Sequence, residues 1–195
     1  PSVKRQSGFL VPAAGISSQL GTFLSVPYYW VIDEQSDALF TPMMTTRRGP
    51  QADVLYRQRF NDGYLMINTS GGYVDNAAQG SFVARGQFAW DDTWRWGFDI
   101  NRASSADYIR VYHVGNGLQG DPNLLASNVY AEAFGEGAYA RVDTKFYQGL
   151  TSSLANTRLP AVLPRYQYSY FGRPDSLGGR LTLDAGAFNL WRSDG

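Results

Sequence analysis

The residues closest to an acid–base set are the adjacent carboxylates Asp33-Glu34 and Asp91-Asp92. Neighbours on a strand point to opposite faces, and in turns such pairs are ordinarily solvated, so neither pair can work on one bond. His113 is the single histidine and the chain has no cysteine. The missing cysteine removes disulfides and thiolate metal sites, and a Ser-His-Asp triad or a His-based metal site would have to rest on this one imidazole alone, which argues against both. Gly115-Asn116-Gly117 and Gly135-Glu136-Gly137 read as turn glycines, without the strand-to-helix setting of a nucleotide loop. Asn68-Thr69-Ser70 fits a glycosylation acceptor but falls inside an expected strand. No catalytic residue, metal or cofactor is assigned, and the chain is not read as an enzyme. With 17 basic against 17 acidic residues it lacks the basic excess of a nucleic-acid binder.

The chemistry that remains belongs to guanidinium groups and to prolines. The chain carries 15 Arg and only 2 Lys. By alternation, Arg57, Arg59, Arg85, Arg95, Asp99, Arg141, Asp143 and Lys145 fall on polar strand faces. Guanidinium binds phosphate through paired hydrogen bonds, so these residues can meet lipid head groups or a plug protein. They can equally pair with one another in a wet interior. Pro12 and Pro27 fall inside expected strands, and proline has no amide hydrogen for a ladder bond. Pro42 reads as a weaker case, in a bulge of the third strand.

These residues must be positioned by strands. From Thr93 to Asn101, Trp94, Trp96, Phe98 and Ile100 oppose Arg95, Gly97, Asp99 and Asn101. Similar period-2 runs cover Ser81–Trp90, Ala138–Tyr147 and Arg165–Tyr170. Turn signals divide the chain into about eleven strands, near 8–19, 22–32, 38–47, 51–61, 63–74, 80–90, 93–103, 128–135, 138–148, 165–171 and 180–191. Ala106–Val114 reads as a helical turn or two. No apolar run approaches the roughly 20 residues of a spanning helix, which leaves a membrane β-barrel open. The two longest connections, near 104–127 and 149–164, follow the seventh and ninth strands, while connections after even strands are short. In an up-and-down meander this puts long loops at one end and short turns at the other, the habit of outer-membrane barrels. Tyr28, Tyr29, Trp30, Trp90, Trp94, Trp96 and Trp191 lie near strand ends, where a membrane–water interface would want them. A soluble all-β carbohydrate- or partner-binding module, or a porin-like diffusion barrel, fits much of the same pattern. The chain starts without Met and ends on a turn signature, Ser193-Asp194-Gly195, and reads as an excerpt of a longer protein.

Three stretches carry a resemblance: Lys4-Arg5-Gln6-Ser7-Gly8-Phe9-Leu10-Val11-Pro12; Val26-Pro27-Tyr28-Tyr29-Trp30-Val31-Ile32 with Asp37-Ala38-Leu39-Phe40-Thr41-Pro42; and Arg47-Arg48-Gly49-Pro50. In order and spacing they resemble the opening of the barrel in the LptD family of lipopolysaccharide-assembly proteins, with its (R)SGF-L-P strand, PYYW-x-I, D-A-x-x-T-P and RRG. Asp92-Thr93-Trp94-Arg95 and the hairpin around Gly178–Asp194 look similar too.

The resemblance implies an all-β, antiparallel, up-and-down transmembrane β-barrel of the bacterial outer membrane, with residues 1–195 as part of that one domain. A periplasmic jellyroll and the remaining barrel strands would lie outside this window. It implies lipopolysaccharide as the cargo, an LptE-type plug lipoprotein inside the barrel, and an LptA-type periplasmic bridge reached through the jellyroll. In the family the corresponding prolines are associated with a lateral opening between first and last strands. The resemblance carries that role to Pro12 and Pro27; without it they read as bulge prolines or as protection of an edge.

Overall fold

The computed structural model describes residues 5–112, 123–151, 161–174 and 176–191. Thirteen strands and one short helix follow the chain: β1 (Gly8–Phe9), β2 (Ala13–Ser17), β3 (Gly21–Ser25), β4 (Tyr28–Val31), β5 (Ser36–Thr45), β6 (Gly49–Phe60), β7 (Gly63–Val74), β8 (Ala77–Ala89), β9 (Trp94–Ala103), α1 (Ala106–Tyr112), β10 (Leu124–Gly135), β11 (Ala138–Gly149), β12 (Ala161–Phe171) and β13 (Thr182–Trp191). They form one antiparallel sheet in which sequence neighbours pair from β4 to β13. Described strands leave the sheet open, with β1 paired to β4 on one side and β13 paired to β12 on the other. No helix among the described residues is long and apolar enough to cross a membrane.

The expected strand at 8–19 is β1 plus β2, and that at 22–32 is β3 plus β4. The breaks fall at Pro12 and Pro27, so eleven positions across the sheet are filled by thirteen strands. Pro42 differs from expectation: β5 runs against β6 in unbroken register from Ser36 opposite Gln58 to Thr45 opposite Gly49, with no bulge. β10 and β12 start earlier than alternation indicated, at Leu124 and Ala161.

Tight turns set the register. Asp75 and Asn76, between β7 and β8, both have positive φ (50° and 63°), the pairing a two-residue hairpin matched to strand twist needs. At the start of β7, a Cβ on Gly63 would sit 2.2 Å from the Gln87 carbonyl, so only glycine lets the strands approach there. β9 and β11 end, and β10 and β12 begin, at the end of the sheet that carries the turns at 18–20, 46–48 and 75–76, so the two long connections leave and return there. The opposite end carries 32–35, 61–62, 90–93, 136–137 and 172–181.

The sheet is inside-out by the standards of a water-soluble domain. Its buried residues include Ser25, Ser36, Asp37, Thr45, Gln51, Asn68, Ser70, Ser81, Asn101 and Asp143. Its exposed ones include Leu24, Trp30, Phe40, Met44, Phe82, Trp94, Trp96, Tyr166, Tyr168 and Leu183. Residues directly opposite on paired strands share a face. Following Trp30–Ala38–Tyr56–Ile67–Ala84–Ile100 across the rungs gives an apolar row. Following Asp37–Arg57–Met66–Arg85–Asp99–Asn128–Lys145 gives a polar one. Water would reward the opposite arrangement; a lipid-facing exterior and a wet interior reward this one.

Candidate functional site

The first strand positions form the weakest part of the sheet. β1 and β4 share two residue pairs, β3 and β5 three, and β4 and β5 four. Between Phe9 opposite Tyr28 and Ala13 opposite Ser25, Leu10, Val11 and Pro12 face only Val26 and Pro27. One residue is therefore extra, a bulge in the outermost strand, and it leaves Val11 88% exposed. The Leu10 amide donates to the Pro27 carbonyl (2.9 Å), and the Val26 amide donates to the Pro42 carbonyl (3.2 Å). In an antiparallel ladder such pairs exchange two bonds. Proline at 27 and at 42 deletes the return bond in both cases. Pro42 thus weakens the second seam as Pro27 weakens the first, though it sits in regular register.

The β2–β3 hairpin is tied down at its tip. The Thr46 and Arg47 amides donate to the carbonyls of Thr22 (3.0 Å) and Leu20 (3.1 Å). Arg47 also reaches the Ser18 carbonyl, Arg48 Nε donates to the Gln19 carbonyl (3.2 Å), and Arg48 pairs with Asp75 at 3.3 Å. The Arg47-Arg48-Gly49-Pro50 motif is thereby a clasp between three turns at the long-connection end.

All eight charged residues singled out in the sequence share the polar face. Arg57, Arg85, Asp99 and Lys145 lie on the polar rung already traced. Arg59–Tyr64–Gln87–Gly97–Tyr130–Asp143–Arg165 make a second rung, and Arg95–Glu132–Arg141–Gln167 a third. Two carboxylates organise them. Asp37 accepts from Arg5 Nη1 (2.8 Å), Arg57 Nε (2.8 Å) and the Tyr29 hydroxyl (3.1 Å). Asp143, its side chain 1% exposed, pairs with Arg165 (2.7 Å) and Arg141 (3.3 Å), and Arg141 also reaches Glu132 (3.2 Å). Arg85 pairs with Asp99 at 3.1 Å. Arg95 lies over the Phe134 ring (4.9 Å to the centroid) and Arg141 over Tyr130 (4.3 Å). Sequence reasoning identified neither Asp37 nor Arg5 as a charge partner, because their contact spans 32 residues.

The aromatics divide. Tyr28, Trp30, Trp94 and Trp96 lie on the apolar face at the short-turn end, with Trp90 beside the same turn. Trp191 closes β13 at the long-connection end. Tyr29 departs from this group: it shares the polar face with Asp37, since it alternates with its neighbours.

The acidic pairs serve turns. Asp33 Oδ1 accepts the amides of Gln35 (2.7 Å) and Ser36 (2.6 Å), and these bonds hold its carboxyl below the usual range. Asp91 Oδ1 accepts the amides of Thr93 (2.8 Å) and Trp94 (2.7 Å). No cluster of metal-ligating side chains occurs among the described residues. His113 and Gly115-Asn116-Gly117 lie outside those residues.

The feature least visible in sequence is α1. It packs on the polar face, where Tyr108, Ile109, Val111 and Tyr112 join Leu20, Val74, Ala103 and Leu125 in the main apolar cluster. Tyr108 is fully buried and donates to Ser70 Oγ (2.9 Å), which is 2.7 Å from Ser81 Oγ. Tyr112 donates to the Tyr73 carbonyl (2.7 Å). A cover of this kind needs a few apolar residues in a long connection, a pattern that does not separate from background in seven residues.

The family model described as LptD, LPS transport system D, matches residues 78–195. The LPS-assembly protein LptD of Nitrosococcus oceani is 34% identical over 122 residues, 59% of this chain and 16% of its own length. That of Haemophilus influenzae is 30% identical over 139 residues, 65% of this chain and 18% of its own. That of Alkalilimnicola ehrlichii is 28% identical over 180 residues, 84% of this chain and 22% of its own. The chain therefore spans about a fifth of the length of these curated relatives.

Proposed function

The chain belongs to the LptD family, and from that premise we propose that it is one stretch of an outer-membrane β-barrel that assembles lipopolysaccharide into the outer leaflet. Residues 1–195 form part of that single barrel domain, with a periplasmic jellyroll and further strands contributed by other parts of the protein. The observation that carries this reading is the inversion of polarity: arginines and carboxylates pair on one face while large apolar side chains stand exposed on the other. Such a sheet is suited to lipid outside and water inside. α1 lies across the polar face, which suits a guarded interior better than the free aqueous channel of a diffusion barrel.

Lipid leaves the barrel sideways, between the first strand and the last. Support comes from the energetics of the first strand positions. A seam opens at the ladder with fewest bonds, and here one bulge and the prolines at 12, 27 and 42 fall within three neighbouring positions across the sheet. The polar face, with Arg57, Arg59, Arg85, Arg95, Asp99, Arg141, Asp143 and Lys145, lines the lumen. There it meets saccharide and phosphate groups and an LptE-type plug, while an LptA-type bridge delivers cargo from the periplasm. Tyr28, Trp30, Trp90, Trp94 and Trp96 mark one membrane interface and Trp191 the other.

The test is Pro12→Ala with Pro27→Ala in the full-length protein. Surface lipopolysaccharide is expected to fall and sensitivity to large hydrophobic antibiotics to rise. Unchanged export would remove the gate from these prolines.

A further inference from the structure

At the short-turn end of the polar face, beside β1, an open cavity of about 800 Å³ is lined by Arg5, Tyr29, Asp37, Arg57, Arg59 and Tyr64, among others. We propose that this cavity is a binding site for a phosphate group, held by Arg57 and Arg59 with Arg5 at its side.

The arrangement is more cationic than its internal pairing requires. Asp37 is the buried carboxylate of the cluster, and both its oxygens are taken, Oδ2 by Arg5 and Tyr29 and Oδ1 by Arg57. It fixes the direction of two guanidinium groups and leaves little capacity to repel an incoming anion. Arg57 gives Asp37 only its Nε, so its two Nη groups remain available to a ligand on a side chain that is 51% exposed. Arg59, two residues along β6, has no side-chain hydrogen bond or ion pair among the described residues. A two-residue step on a strand is about 7 Å and returns to the same face, so Arg57 and Arg59 flank one space. Tyr29 and Tyr64 also line that space, and Tyr64 lies opposite Arg59.

Counting the lining groups, Arg5, Arg57 and Arg59 stand against Asp37 and the exposed Glu34, a surplus of one positive charge before any ligand enters. Two guanidinium forks on one side of a cavity suit a tetrahedral oxyanion with several acceptor oxygens better than a lone carboxylate. Openness to solvent makes the attraction salt-dependent, weakening as ionic strength rises through the physiological range. The same chemistry is offered by a phospholipid head group ending in a phosphate monoester and by free phosphate. If the barrel carries a phosphorylated lipid, as proposed above, this site holds the head group at the short-turn end of the seam.

The experiment uses purified full-length protein in detergent micelles, with binding of phosphatidic acid and phosphatidylcholine read by native mass spectrometry. Inorganic phosphate is the competitor. Preferential binding of phosphatidic acid is expected, weakening about tenfold or more in Arg57→Gln/Arg59→Gln and surviving in Arg110→Gln, which removes a half-exposed charge from the outer side of α1 instead. Competition by phosphate would show that the head group suffices. Phosphate binding without phosphatidic acid binding, again lost in the double variant, would assign the site to the free ion. Equal retention of both lipids, or preference unchanged in the double variant, would overturn the proposal. Should the double variant fold poorly, Arg59→Gln alone serves, because its side chain supports nothing else. Binding is read without export, so its outcome is separate from the fate of the proline gate.

Discussion

The Leu10 amide donates to the Pro27 carbonyl at 2.9 Å, and Pro27 has no hydrogen to return to Leu10. Replacing Pro27 by Ala supplies that missing donor. A net ladder bond contributes about 0.5–1.5 kcal/mol, so amide exchange around Leu10 and Tyr28 should slow by roughly threefold to tenfold. Global stability should hardly move, because losing proline's restraint on the unfolded chain costs about 0.4–1 kcal/mol in the other direction. Hydrogen exchange resolved by mass spectrometry separates the two effects. Unchanged local exchange would mean that the bulge, rather than the absent donor, sets the weakness of this seam.

Asp143 and Asp99 predict unequal costs for the same substitution. Asp143 is 1% exposed and neutralises Arg141 and Arg165 together. Asn there leaves Arg165 without its partner and Arg141 with Glu132 alone, and with Arg165 42% exposed the cost should be about 2–3 kcal/mol, below that of a fully dry pair. Asp99 is 40% exposed, with one ion pair, to Arg85, and a hydrogen bond from Asn101 that an Asn side-chain oxygen can still accept, so Asp99→Asn should cost about 1 kcal/mol or less. Urea unfolding of full-length protein in lipid vesicles ranks them. Equal costs would argue that the polar face is fully solvated at both depths.

Phe40 and Thr41 are neighbours on β5 that face opposite ways, Phe40 opposite Val54 and Thr41 opposite Asp53. Arginine at Phe40 enters the exposed apolar face and should cost about 2–4 kcal/mol in a bilayer. Arginine at Thr41 arrives beside a carboxylate and should change stability by about 1 kcal/mol or less. The same vesicle assay reads both. A cheap Phe40→Arg would contradict a lipid-facing row at Trp30, Phe40 and Met44.

Much of this was legible in the sequence because a strand's two faces alternate with period 2. Thr93–Asn101 announces β9 and its polarity by its side chains alone, and the eight charged residues fall on one face for the same reason. Alternation cannot show which residues meet across the sheet. Arg5 and Asp37, separated by 32 positions, come together only once β1, β4 and β5 are paired. Nor did it show that Pro12 and Pro27 would split their strands outright: alternation continues through a bulge, while the ladder does not. Position along the chain groups Tyr29 with the other aromatics, but its side of the strand decides its partner and sets it beside Asp37. α1 was foreseen only as a helical turn or two; its role as a cover for the polar face depends on Ser70 and Ser81, which carry no signal until Tyr108 is set against them.

Tyr108 and Tyr112 give that cover a pH dependence whose sign is fixed by their surroundings. Burial, the largest cause for both, raises each phenol above its ordinary value near 10. The docked state therefore favours neutral phenols. Its stability is fully present below the ordinary phenol range and falls as pH rises through and above it, because released tyrosines ionise more readily than docked ones. Alkaline titration should release α1, seen as protease cleavage within it together with growth of tyrosinate absorbance. Tyr108→Phe with Tyr112→Phe removes both ionisations. The double variant should dock less firmly at neutral pH, by about 1–3 kcal/mol for two lost hydrogen bonds, yet keep its docking as the solution is made alkaline. Release of α1 at the same pH in the variant would place the alkaline trigger on other groups, with the arginine–carboxylate pairs of the polar face the next to examine.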